Sequence, residues 1–147
     1  MLRVAHGRRC GVNRVLILMG SESDRERMEK ALPILSDAGV EADVLVSSAH
    51  REPDRTADLA RTAEEKGYSV VICGAGLSAA LPGVVASHTR LPVIGVPLSA
   101  ALGGLDALLS TVQMPPGVPV ATVGIDNARN AAHLAVRILR LADRDAG

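Results

Sequence analysis

The sequence predicts a three-layer α/β domain, with a five-stranded parallel sheet between helices on both faces. Three observations carry this expectation. Five short apolar runs, rich in β-branched residues, alternate with stretches of helical spacing. The 147 residues suit one domain with its own core. The least ordinary residues cluster directly after the first three apolar runs.

Strands are expected at Arg14–Met19, Ala42–Ser47, Ser69–Cys73, Pro92–Val96 and Pro119–Val123. After the first, Asp24–Ala38 places Met28, Leu32 and Leu35 three to four residues apart, and Gly39 follows as a helix stop. Asp54–Lys66 is rich in Ala, Glu and Arg, and Gly67 ends it. Ala79–His88 reads as a short apolar helix despite Pro82 and Gly83, and Leu105–Val112 as another. Ala128–Asp143 is the terminal helix, carrying Ala131, Leu134, Ile138 and Leu141. Strands alternating with helices imply a parallel sheet, and right-handed crossovers leave few topologies. The flavodoxin-like order 2-1-3-4-5 fits this length. It brings the loops after strands 1, 2 and 3 to one switch point, where open α/β sheets bind ligands.

Residues 14–147 are expected to form a single domain. Residues 1–13 contain Arg3, Arg8 and Arg9 but no signal-peptide apolar core. They read either as a disordered arm or as an extension from an early assigned start. No apolar run is long enough to span a bilayer, so the cytoplasm is the expected compartment.

Composition excludes several functions. Sixteen basic and sixteen acidic residues balance, so nothing favours nucleic acid or a membrane as partner. Tyr68 is the sole aromatic residue, which removes base stacking on aromatic platforms. A core of Val, Leu, Ile, Ala and Met buries less area per residue, a mild hint of subunit association. Cys10 and Cys73 match no zinc spacing, and Cys73 reads as a buried thiol. No histidine pair has metal-ligand spacing, and no metal is expected.

The three loops hold the candidate site. Gly20-Ser21-Glu22-Ser23-Asp24 follows the first strand. Ser21, Ser23 or Asp24 could simply cap the next helix, or the helix start could hold an oxyanion; both readings stand. Asp24 would repel a phosphate and suits ribose hydroxyls better. Ser48-Ala49-His50-Arg51 follows the second strand. Histidine can both take and give a proton near neutral pH, and arginine suits an anionic ester. The plainer reading makes Arg51 a solvated partner of Glu52. Gly74-Ala75-Gly76 follows the third strand, but Ala79 stands where a dinucleotide fingerprint needs its third glycine. No Gly-Lys-Ser/Thr run or Gly-x-Ser-x-Gly elbow occurs. These small residues fit a close wall around a flat heterocycle. His6, His88 and His133 are weaker candidates.

With Leu81-Pro82-Gly83 and Val112-Gln113-Met114-Pro115, these motifs occur in the same order in the catalytic subunit family of phosphoribosylaminoimidazole carboxylase. The chain resembles that family from about Arg14 to about Ala142. The resemblance implies a flavodoxin-like fold and a homo-octamer. It implies an N5-carboxyaminoimidazole ribonucleotide mutase of purine biosynthesis, using no metal or organic cofactor. Ser21, Asp24 and Arg51 would hold the ribose 5-phosphate, with Ser48 and Ser23 beside them. His50 would carry the proton. Ala75 and Gly76 would pack against the imidazole and the migrating carboxylate, and a neighbouring subunit would add Gln113-Met114-Pro115. An ATP-dependent N5-carboxyaminoimidazole ribonucleotide synthase is implied as a pathway partner. Where the bacterial mutases have a histidine before Leu-Pro-Gly, this chain has Ala80. That departure raises the alternative of an aminoimidazole ribonucleotide carboxylase using carbon dioxide directly. A non-catalytic nucleotide-binding subunit is the third reading.

Overall fold

The computed structural model describes residues 13–144. The expected arm, with His6 and Cys10, lies outside them apart from Asn13. Five strands form one parallel sheet in the order β2-β1-β3-β4-β5. They are β1 (Arg14–Met19), β2 (Glu41–Val46), β3 (Val70–Ala75), β4 (Val93–Pro97) and β5 (Ala121–Thr122). The helices are α1 (Arg25–Met28), α2 (Leu32–Asp37), α3 (Pro53–Thr62), α4 (Leu81–His88), α5 (Leu105–Val112) and α6 (Ala128–Arg144). The expected fold class and strand order are those observed.

Strands β1, β3 and β4 are central and covered on both faces, so their sequences are continuously apolar rather than alternating. Val15, Ile17, Met19 and Ile72 point into one core, closed by Met28, Leu35 and the Ala face of α6. Leu16, Leu18, Val71 and Cys73 point into the other, closed by Ala60 and Ala63, Leu81 and Val85, and Ala107. Alanine-rich helix faces let these helices lie close to the sheet.

Five elements differ from the expectation, the first being β3, which runs through Gly74 and Ala75 rather than ending at Cys73. The single helix over Asp24–Ala38 is broken into a 3-10 turn at Glu22–Asp24, α1, a second 3-10 turn at Glu29–Ala31, and α2. Pro33 is the cause: it cannot donate to the carbonyl of Glu29 and its ring crowds that carbonyl, so the preceding turn tightens. Helix α3 ends at Thr62, and the chain then turns through Gly67, at φ 88°, into β3. Helix α4 begins at Leu81 with Pro82 in its first turn, so Ala79 and Ala80 belong to the loop. Strand β5 shrinks to two residues at the sheet edge, paired only with Ile94 and Gly95. The terminal helix also buries Ala128, Ala132, Ala135 and Leu139, whereas Leu141 is exposed.

Candidate active site

The carboxyl ends of β1, β2 and β3 open into one cleft of about 480 Å³. Its walls include Ser21, Ser23, Asp24, Ser48, His50, Arg51, Ala75 and Gly76, the residues expected to form the site, whereas Glu22 and Gly74 of the same motifs do not line it. The topology explains this. β2 and β3 flank β1, and the loops leaving β1 and β3 diverge at the switch point. The amide of Ser47 donates to the carbonyl of Met19 across 2.8 Å, carrying the pairing one step past β2. The buried Ser47 hydroxyl lies 2.8 Å from that of Thr56, joining the base of the second loop to α3.

In the first loop, Ser21 caps the 3-10 turn: its Oγ accepts from the Ser23 amide at 3.3 Å and lies 2.9 Å from Ser23 Oγ. The capping role is therefore met, while the same residue lines the cleft. Asp24 is buried, and its Oδ1 accepts from Arg27 Nη2 at 2.6 Å.

The second loop is a tight turn. Ser48 Oγ accepts from the Arg51 amide at 3.3 Å, and the Ser48 carbonyl accepts from the Glu52 amide at 2.8 Å. His50 and Arg51 are left exposed at its tip. The pairing of Arg51 with Glu52 is not formed. Glu52 instead pairs with Arg55 at 3.1 Å, and Arg55 also donates to the Val46 carbonyl. Among the described residues the Arg51 guanidinium has no ion pair. An exposed cation at a cleft mouth, free of a carboxylate, is available to an anion.

In the third loop, Ala75 ends β3 and Gly76 continues past it. Leu77 is exposed and lines the cleft, and Ser78 sits at φ 48° in the turn that leads to α4. Ala80, Leu81 and Ala49 complete a small, apolar wall, whereas Ser78 does not line the cleft. Beneath it, Cys73 is fully buried; burial pushes its thiol pKa far up and keeps it protonated. Among the described residues no group of three or more His, Cys, Asp or Glu side chains is placed to hold a metal ion. Met114 packs near Gly83 of α4, and neither it nor Gln113 lines the cleft within one chain.

Sequence reasoning missed Arg27 and Ala100, which also line the cleft. The three-residue spacing of Asp24 and Arg27 on a helical turn was a visible signal. The loop after β4, which carries Ala100, holds no charged or imidazole side chain to single it out.

Comparison with known proteins gives the relationship. An N5-carboxyaminoimidazole ribonucleotide mutase of Pyrococcus abyssi is 58% identical over 132 residues, covering 89% of this chain and 76% of the relative. One of Thermotoga maritima is 56% identical, covering 86% and 74%. A chloroplastic phosphoribosylaminoimidazole carboxylase of Vigna aconitifolia is 54% identical, covering 86% of this chain and 23% of that longer protein. The crystal structure of Treponema denticola PurE superposes with a TM-score of 0.76 at 31% identity, covering 90% of this chain and 83% of that one. A PurE2 variant from the same organism gives a TM-score of 0.81 at 32% identity, covering 91% and 84%. The family model described as AIR carboxylase matches residues 14–146, and the chain belongs to that family.

Proposed function

We propose that this protein is an N5-carboxyaminoimidazole ribonucleotide mutase of purine biosynthesis. As an isomerase, it moves the carboxylate from the exocyclic nitrogen to ring carbon 4. The observation that carries this reading is the convergence of His50, Arg51, Ser48, Ser21, Asp24 and Gly76 on one cleft, in a chain whose relatives bear that name.

The chemistry suits the cleft. Protonation of the carbamate nitrogen breaks its bond to the carboxylate and releases carbon dioxide beside the aminoimidazole. Carbon 4 then attacks the carbon dioxide, and loss of the carbon 4 proton restores aromaticity. His50 is the group that gives the first proton and takes the second, so no net proton is consumed. Ala49, Ala75, Ala80 and Leu81 form an apolar wall that would hold carbon dioxide against the ring. Arg51 and Ser48 bind the phosphate, Ser21 and Ser23 lie beside it, and Asp24 accepts from ribose hydroxyls. This remote binding energy fixes the ring for attack.

The assembly is a homo-octamer in this reading. Leu102, Leu105, Leu109 and Val112 are exposed on and just before α5, a patch that suits burial between subunits. A neighbouring subunit adds Gln113-Met114-Pro115 to the site. Residues 14–147 form a single catalytic domain that works in the cytoplasm, fed by an ATP-dependent synthase. Among the described residues no helix is long and apolar enough to cross a membrane.

Ala80 lines the cleft just before Leu81, and this supports direct carboxylation by carbon dioxide as the second reading. The purified protein should be given N5-carboxyaminoimidazole ribonucleotide in one assay. In another it should receive aminoimidazole ribonucleotide with bicarbonate. Turnover of the first at low bicarbonate is expected. Efficient turnover only in the second would replace the mutase with the carboxylase.

A further inference from the structure

Arg27 joins three of the loops at the sheet's carboxyl edge. Nη2 donates to Asp24 Oδ1 at 2.6 Å in the loop after β1. Nη1 donates to the Ser99 carbonyl at 2.9 Å in the loop after β4. The same nitrogen donates to Asp126 Oδ1 at 3.1 Å in the loop after β5. Asp126 in turn accepts from the Ser99 amide at 2.9 Å and from Ser99 Oγ at 2.5 Å. Asp126 holds φ at 57°, a left-handed position that Asp and Asn tolerate, and its amide donates to the Pro97 carbonyl. Burial works to raise the Asp126 carboxyl. The Ser99 bonds and the Arg27 charge outweigh it and hold that carboxyl below its ordinary range.

We propose that Arg27 is a positioning residue for the nucleotide site: it fixes the Asp24 carboxylate and locks Ser99 and its neighbour Ala100 as the far wall. Arg27 lines the cleft but is not its anion anchor. Two carboxylates, Asp24 and Asp126, satisfy the Arg27 guanidinium. That leaves Arg27 no free charge for a phosphate, whereas among the described residues Arg51 lines the same cleft with no carboxylate partner. The device therefore sets the direction in which a nucleotide lies. Oδ1 of Asp24 is taken by Arg27, which leaves Oδ2 as the oxygen to accept from a ribose hydroxyl. The role rests on the reading of Asp24 as a ribose ligand.

The test is steady-state kinetics with N5-carboxyaminoimidazole ribonucleotide. Arg27→Met should raise KM about tenfold or more, the cost of losing a hydrogen bond to a charged group, with kcat kept within about threefold. Arg27→Lys, which retains a point charge, should recover part of the KM. In an Asp24→Asn background, Arg27→Met should add little, because the arginine acts through that carboxylate. Asp126→Asn tolerates the same φ and gives a second route should Arg27→Met fail to fold; it should raise KM more modestly. An unchanged KM in Arg27→Met, or a full-sized effect in the Asp24→Asn background, would overturn the role. Failure of the functional reading looks different: the unaltered protein itself would not turn over the nucleotide.

Discussion

The thioether of Met28 fills the space that a side chain at Gly74 would need. A Cβ there would lie 2.2 Å from the Met28 sulfur and 2.8 Å from its methyl carbon. Met28 is fully buried at the end of α1, and Gly74 is inside β3. The glycine therefore lets the first helix sit on the sheet directly behind the cleft. Gly74→Ala should displace Met28 and destabilise the fold by roughly 1–3 kcal/mol, the usual cost of overpacking. Chemical denaturation with an unchanged m-value checks it; a wild-type midpoint would show that the thioether simply swings aside.

Gly76, two residues on, makes the opposite prediction. A Cβ there meets the Leu98 carbonyl oxygen at 3.6 Å and Ala100 Cβ at 3.7 Å, ordinary contacts, and its φ is not left-handed. Gly76→Ala should leave the melting temperature unchanged or slightly raised, since alanine restricts the unfolded chain. Turnover should nonetheless fall, by about 10²-fold if the ring is pushed some 1 Å from its place. Normal activity in a stable Gly76→Ala protein would mean that nothing packs against that loop.

The contrast between these glycines marks how much the sequence could say. The fold was legible because β1 and β3 are buried on both faces and so are apolar without interruption. The candidate loops were legible because the strand order sends them to one edge. Pro33 was visible too, but regular apolar spacing through Met28, Leu32 and Leu35 masked its local effect. The Arg27–Asp126 pair was not legible, since the two residues meet only after β4 and β5 have taken their places. A deep-sheet glycine and a cleft glycine likewise look alike in sequence, and only their neighbours separate them.

Arg51 should govern binding rather than chemistry. Its guanidinium has no carboxylate partner among the described residues, so its loss removes an anion contact without freeing an acid elsewhere. Arg51→Met should raise KM by about 10-fold to 10²-fold, the range for a hydrogen bond to a charged group, with a smaller change in kcat. Arg51→Lys should fall between, because the point charge remains and the bidentate fork is lost. An equal drop of kcat at unchanged KM would take Arg51 away from the phosphate.

His50 should show the reverse pattern. It stands exposed at the tip of the turn closed by Ser48, so Asn can replace it without repacking a core. His50→Asn should lower kcat by about 10²–10⁴-fold, the usual contribution of a positioned proton carrier. Calorimetric binding of aminoimidazole ribonucleotide should be nearly retained. Unchanged turnover would exclude His50 as the proton carrier.

Acid stability should report Asp43, away from the cleft. Its Oδ2 accepts from the Tyr68 hydroxyl at 2.6 Å and from Arg14 Nη2 at 2.6 Å, and Arg14 also lies over the Tyr68 ring. The Tyr68 bond is the largest influence on this carboxyl. With Arg14 it outweighs partial burial and lowers the pKa below its ordinary value. A lowered folded pKa means that the folded state favours the carboxylate. That stability is fully present above the unfolded value of about 3.9 and is lost as pH falls through the folded one. Asp43→Asn should therefore melt below wild type by a constant margin from pH 5 to 7, and the margin should close at more acidic pH. Tyr68→Phe should give a similar pH profile, because it removes the strongest donor to the carboxylate. A margin that persists undiminished at pH 2 would assign the loss to packing of the β1–β2 edge instead of to charge.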